Sequence, residues 1–200
     1  MWEPGVQILV CAEDAARAAL IEEALAESAD TEIRPVVHRI ERIASLLPSV
    51  AATNPDVIVV DLREPSPERI SLLTAAATAI KRPIVAFVDH SDAASAGKAI
   101  DAGVAAYVVD GLAKERIPAL LTVAVARHHA LRRLEAELER TQTALRERKL
   151  IERAKAILMQ REGLSEQDAY ALMRRTAMNQ NRRIADLARV IVDAAELLGG

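Results

Sequence analysis

Asp61 closes the run Val57-Ile-Val-Val-Asp, and Pro65 stands four positions later. A strand that ends on a single carboxylate delivers it to the rim of a sheet, where it can take a phosphoryl group or hold a cation. Other acids follow other apolar runs: Glu13 and Asp14 come after VQILVC, and Asp110 after AYVV. A second group of residues has a different chemistry. Arg174, Arg175, Arg182 and Arg183 form two pairs beside Asn181, and Lys149, Arg153 and Lys155 precede them. Guanidinium groups grip phosphate with two parallel hydrogen bonds and stack on bases, so this group points to a polyanion. A charge run of this kind is more often a solvated helix face, and Glu147 and Glu152 can pair with part of it. His38, His90, His128 and His129 show no triad or metal spacing, so no enzyme is expected.

The elements that must position these residues follow from periodicity. VQILVC reads as a first strand, and Asp14 can cap a helix with Leu20, Ile21, Ala24 and Leu25 on one face. The stretch Ile33 to Val37 is a weaker strand, and Pro35 argues for an edge. Ile40, Ile43, Leu46 and Leu47 mark a second helix. VIVVD is followed by a helix around Ile70 to Ile80, the strand Ile84–Val88, a helix from Asp92 to Ala102 ended by Gly103, and the strand Ala106–Val109. Strands alternating with helices predict a parallel five-stranded α/β sheet covered on both faces. The functional rim is then the carboxyl end of the strands, at Glu13, Asp14, Asp61, Asp89 and Asp110.

The second half is all helix. Leu131, Leu134, Leu138, Thr141 and Leu145 are spaced three and four apart, an a/d seam that predicts a coiled-coil dimer. Leu150, Ala154, Ile157 and Leu158 give a new apolar face, ended by Gly163. Ser165 to Asp168 is close to a capping box and opens a helix with Ala169, Leu172, Met173 and Ala177 inside. Ile184, Leu187, Ala188, Ile191 and Val192 stripe a third. Tyr170 and the methionines here are expected to be packing. The expected segments are an α/β domain at 1–126, a linker helix at 127–145 and a three-helix domain at 146–200.

Bulk properties agree with two jobs. Residues 1–145 carry 15 Lys+Arg against 21 Asp+Glu, whereas residues 146–200 carry 11 against 8, an acidic front and a basic tail. Aromatics are 2%, so the core is built from Ala, Leu, Ile and Val. A single cysteine, Cys11, excludes an intramolecular disulfide, and no apolar stretch reaches the ~20 residues of a membrane span. The opening MWEPGVQ has no basic segment before an apolar one, so a cytoplasmic protein is expected.

VVDLREP, with acids after the first strand, resembles the receiver domain of two-component response regulators, which implies a flavodoxin-like sheet of strand order 2-1-3-4-5. In that family two acids hold Mg²⁺, a Ser or Thr ends the fourth strand and a Lys ends the fifth. Here the acid pair aligns with Ala12 and Glu13, the hydroxyl position with Val88 and the Lys position with Asp110. Glu13, Asp61 and Asp110 are expected to converge with no protein cation near them. An incoming phosphate would meet repulsion of roughly several kcal/mol. Asp61 is therefore read as a phosphoacceptor equivalent that is not phosphorylated. No cofactor is expected beyond weak Mg²⁺ at Glu13 and Asp61.

ERAKAILMQREGLSEQDAYALMRRTAMNQNRRIADLA is similar to the ANTAR domain of AmiR/NasT transcription antitermination regulators. FVDHSD and GVAAYVVDGL resemble the receiver-like half of NasT-type members. The resemblance implies binding of hairpins in nascent leader RNA, dimerisation through the long helix and control by a partner sensor. That partner is a nitrate-sensing (NasS-like) protein in nitrate assimilation, or a histidine kinase. The residues expected at RNA are Lys155, Arg174, Arg175, Asn181, Arg182 and Arg183, with Lys149 and Arg153 second. The competing reading is a phosphorylation-switched, DNA-binding response regulator.

Overall fold

A computed structural model describes residues 6–27 and 35–197. The chain divides into two compact units, Met1–Arg132 and Arg133–Gly200. In the first, β1 (Gln7–Ala12), β2 (Val36–Ile40), β3 (Val57–Leu62), β4 (Ile84–Val88) and β5 (Ala106–Val109) form one parallel sheet in the order β2-β1-β3-β4-β5. The helices between them are α1 (Ala15–Glu27), α2 (Leu46–Thr53), α3 (Pro67–Ala79) and α4 (Ala93–Asp101), and α5 (Ile117–Glu162) follows β5.

Side chains alternate across the strands, and the two faces bury separate cores. Leu9, Cys11, Ile58, Val60, Ile84 and Ala86 pack under α2, α3 and α4, against Leu46, Leu73 and Ala99. Ile8, Val10, Ala12, Val57, Val59, Val85 and Phe87 face Ala18, Ile21 and Leu25 of α1 and Ile117 and Leu121 of α5. Such a two-sided sheet needs near-continuous apolar strands, which is why all six residues of β3 are buried. Each fully buried Ile, Leu or Phe contributes about 1.5–3 kcal/mol.

Most expected elements lie where the sequence puts them, but the edge strand runs Val36–Ile40 where the sequence predicts Ile33 to Val37, and the second helix differs too. Ile40 belongs to β2, the edge strand, and Ile43 to a 3-10 turn (Ile43–Ser45) that leads into α2. Leu47 is exposed. An apolar i, i+3 spacing here reflects a strand end beside a tight turn, because one apolar residue per turn serves either conformation. Ile33, in the expected early part of the edge strand, lies outside the described residues. Gly103, at φ +104°, adopts the left-handed conformation that follows α4.

In the second unit the last part of α5 packs with α6 (Glu166–Asn179) and α7 (Ile184–Leu197). Their shared core is Ala154, Met173, Ala177, Leu187, Ala188 and Val192. Gly163, at φ +63°, stands just past the end of α5. Ser165 caps α6, its hydroxyl accepting from the Asp168 amide at 3.1 Å. Asn181 closes α6 with φ +50°. The Arg182 amide donates to Ala177 O at 2.9 Å and the Asn181 amide to Met178 O at 3.1 Å, a Schellman cap.

Candidate functional site

Asp61 lies next to Ala12 on β1 and Phe87 on β4 in the strand register, on the sheet face covered by α1. Its side chain is 1% exposed. Arg17, in the first turn of α1, faces it. Arg17 Nε donates to Asp61 Oδ2 and Nη2 to Oδ1, both at 2.7 Å, while Nη1 donates to Asp89 Oδ1 at 2.7 Å. Both oxygens of Asp61 are thus held in the two-pronged geometry that guanidinium and carboxylate prefer. The hydrogen bonds from Arg17 to Asp61, followed by their mutual attraction, outweigh burial and raise the guanidinium pKa.

Two more rim acids, Glu13 and Asp14, are paired as well. Glu13 Oε2 accepts from Arg69 at 2.6 Å, and Asp14 Oδ2 from Arg63 at 3.4 Å. Asp14 Oδ1 also accepts from the amides of Ala16 and Arg17, so this side chain caps α1 and does not swing in as a ligand. Those backbone hydrogen bonds hold its carboxyl below the ordinary carboxylate range. Asp110, at φ +49°, is exposed and lines a separate hollow with Glu115, Arg116 and Leu120. The sequence expectation of converging, uncompensated acids is therefore corrected. Asp110 stays apart, and Arg17, Arg63 and Arg69 neutralise the others. Arginines on α1, on α3 and after β3 carry no period that marks them as facing a rim, so the sequence hid them.

Beneath this rim Cys11 is 2% exposed. Burial first, then Glu13 and Asp61, pushes its thiol up to about 12. Ser91 and Tyr107 hydroxyls meet at 3.0 Å between the loop before α4 and β5.

The cations of the helical unit separate into two groups. Lys155 is 8% exposed and sits between Glu166 at 2.6 Å and Glu152 at 2.9 Å, so its place is structural. Hydrogen bonds to Glu152 and Glu166 raise its pKa, and Lys155 in turn lowers that of Glu166. Arg183 holds Glu147 at 2.6 Å, and Arg153 pairs with Glu196 at 2.8 Å. Arg174, Arg175, Arg182 and Lys149 make no ion pair among the described residues, and all four are exposed. Asn181 supplies a left-handed backbone position, which Asn tolerates better than most residues.

Tyr170 is 44% exposed and Met178 is 70% exposed, which corrects the expectation that they pack inward. Met159 is also exposed, and only Met173 of this group is buried. Tyr170 and Met178 share apolar character with the stripe, but α6 turns Ala169, Met173 and Ala177 inward and its other face outward. That outer face carries a shallow hollow lined by Tyr170, Ala171, Arg174, Arg175, Met178 and Asn179. Along α5, Leu131, Leu134, Leu138 and Leu145 are 50–62% exposed.

Residues 139–192 match the ANTAR domain family. Over 139 residues the chain is 30% identical to the transcriptional regulatory protein PdtaR of Mycobacterium tuberculosis, covering 70% of this chain and 68% of that one. The chain belongs to the AmiR/NasT-type response regulators. These join a receiver domain to an ANTAR domain. The nitrate regulatory protein of Klebsiella oxytoca is 33% identical over 116 residues, or 57% of this chain and 29% of that one. Two solved structures share the fold of the first unit. One is a CheY-like receiver domain from Methanospirillum hungatei, with TM-score 0.54 and 13% identity over 63% of this chain and 98% of that one. The other is a pilus assembly-related protein from Burkholderia pseudomallei, with TM-score 0.54 and 18% identity over 64% and 95%.

In this AmiR/NasT-type regulator the acids of the rim are already occupied. A receiver's Mg²⁺ needs free carboxylate oxygens, and the residues here do not fit that ion. Both Asp61 oxygens are engaged by Arg17, Glu13 by Arg69 and Asp14 by backbone amides. Among the described residues no set of three His, Cys, Asp or Glu side chains is grouped to hold a metal. The same residues include no helix long and apolar enough to cross a membrane.

Proposed function

We propose that this AmiR/NasT-type regulator acts in transcription antitermination by binding hairpins in nascent leader RNA through the outer face of α6. The observation that carries this reading is the exposure of Tyr170 beside Arg174 and Arg175 in one hollow. A loop base can stack on the ring while the two guanidiniums take flanking phosphates. Arg182 extends the charge beyond the cap, and Lys149, Arg153 and Arg183 lie in the same unit. Lys155, consumed by two glutamates, is left out. The exposed leucines of α5 support a homodimer, since a long polar helix with an unpaired apolar seam is marginal alone. The occupied rim supports control by a bound sensor protein over control by a histidine kinase. Likeness to the Klebsiella nitrate regulatory protein supports nitrate or nitrite assimilation as the field of control.

Gel shifts of the full chain with hairpin RNA and with duplex DNA of matched length, across a salt series, test this. Hairpin RNA is expected to bind and duplex DNA to fail. Arg174→Ala with Arg175→Ala should weaken RNA binding and reduce the salt slope by about 2, one per phosphate contact. Sedimentation of that variant should still report the dimer, and Leu134→Glu with Leu138→Glu should lose it. Preference for the duplex, or undiminished RNA affinity in the double-arginine variant, refutes the reading.

A further inference from the structure

We propose that Arg17 is a built-in occupant of the phosphoacceptor pocket, an internal cation that replaces Mg²⁺ at Asp61 and keeps the rim in one state. Three observations converge on it. Asp61 is almost completely buried, so an unpaired carboxylate there would be costly, and its partner must be supplied from within the chain or from solution. Arg17 takes both its oxygens at 2.7 Å. The third nitrogen of the same guanidinium holds Asp89, which begins the loop between β4 and α4.

The strand register explains why α1 can do this. Asp61 stands beside Ala12, whose methyl side chain is fully buried and leaves no acid at that place on β1. A carboxylate at position 12 would add charge beside Asp61 and favour a divalent ion. With alanine there, one monovalent guanidinium from the first turn of α1 suffices. Asp14 caps that turn and so sets the direction from which Arg17 enters.

The clamp ties three elements together: α1, β3 and the loop after β4. A phosphoryl switch works by moving the β4–α4 loop when charge arrives at the acceptor. Here that loop is already attached, through Asp89, to the cation that neutralises the acceptor. Signals must therefore reach the regulator by another face, and Asp61 has become a structural anion.

The experiment is Mg²⁺ titration by calorimetry on the full chain and on Arg17→Gln and Arg17→Lys, each with and without Asp61→Asn. Removing the guanidinium frees Asp61 and Asp89, so Arg17→Gln should bind Mg²⁺ at least tenfold more tightly than the natural chain. Asp61→Asn should abolish that gain. Arg17→Lys keeps the charge but cannot bridge both carboxylates, so it is expected between the two. It also carries the test if circular dichroism finds Arg17→Gln unfolded. Equal Mg²⁺ affinity in the natural and substituted chains, weak or strong, overturns the proposal. So does a gain that survives Asp61→Asn.

Discussion

Removing the Arg17 side chain isolates one buried charge, and the structure sets the size of the effect. In Arg17→Gln the Asp61 carboxylate, 1% exposed, loses two charge-assisted hydrogen bonds. Deleting one partner of a buried pair costs about 3–5 kcal/mol. Arg17 is itself 21% exposed, so water reaches the vacated end and the lower limit, about 3 kcal/mol, applies. At 1.4 kcal/mol per decade, the open form of the receiver unit should become on the order of 100-fold more populated. Cys11 reads that opening alone, because it is the chain's single cysteine and belongs to the first unit. Buried and held protonated with a pKa of about 12, its thiol reacts only after opening. Thiol labelling under native conditions should thus accelerate on the order of 100-fold in Arg17→Gln. Adding Asp61→Asn should recover most of the loss by removing the stranded charge, whereas Asp61→Asn alone costs about 1–2 kcal/mol because Arg17 keeps Asp89. Labelling of Arg17→Gln within about twofold of the natural chain would refute the clamp, as would costs that simply add across the two sites.

Two further outcomes are expected. Asn181→Gly should leave thermal stability equal or higher, and Asn181→Ala should lower it by about 1 kcal/mol, because only the backbone conformation at φ +50° is at stake. Equal RNA affinity in the glycine variant is the check that this residue caps α6 and does not read RNA. Acid should weaken both units. Glu166, held by Lys155, and Asp14, held by backbone amides, have depressed pKa values, so their stabilisation is present above the ordinary values of 4.5 and 3.8. It is lost as pH falls through the lowered ones. Urea midpoints should fall over that window in the natural chain, and Glu166→Gln should flatten the fall for the helical unit.

The sequence by itself determined the alternation of strands and helices, the three-helix end and the ANTAR character. Each rests on a period or a local motif: apolar runs at β1, β3 and β4, the Ser165 cap, and the stripe Ile184 to Val192. Such signals are local, so they survive without coordinates. Only the tertiary structure decided which charges meet. Arg17 reaches Asp61 across 44 residues of chain and Arg69 reaches Glu13 across 56, because parallel strands and their crossovers bring α1, α3 and the strand ends to one rim. Neither pair leaves a spacing to detect. The same holds for Lys155, absorbed by Glu166 when α5 and α6 fold together, and for Tyr170, which faces outward because Ala169, Met173 and Ala177 fill the inner face. Helical periodicity names a stripe, but which side of it is covered depends on neighbours that only the folded chain provides.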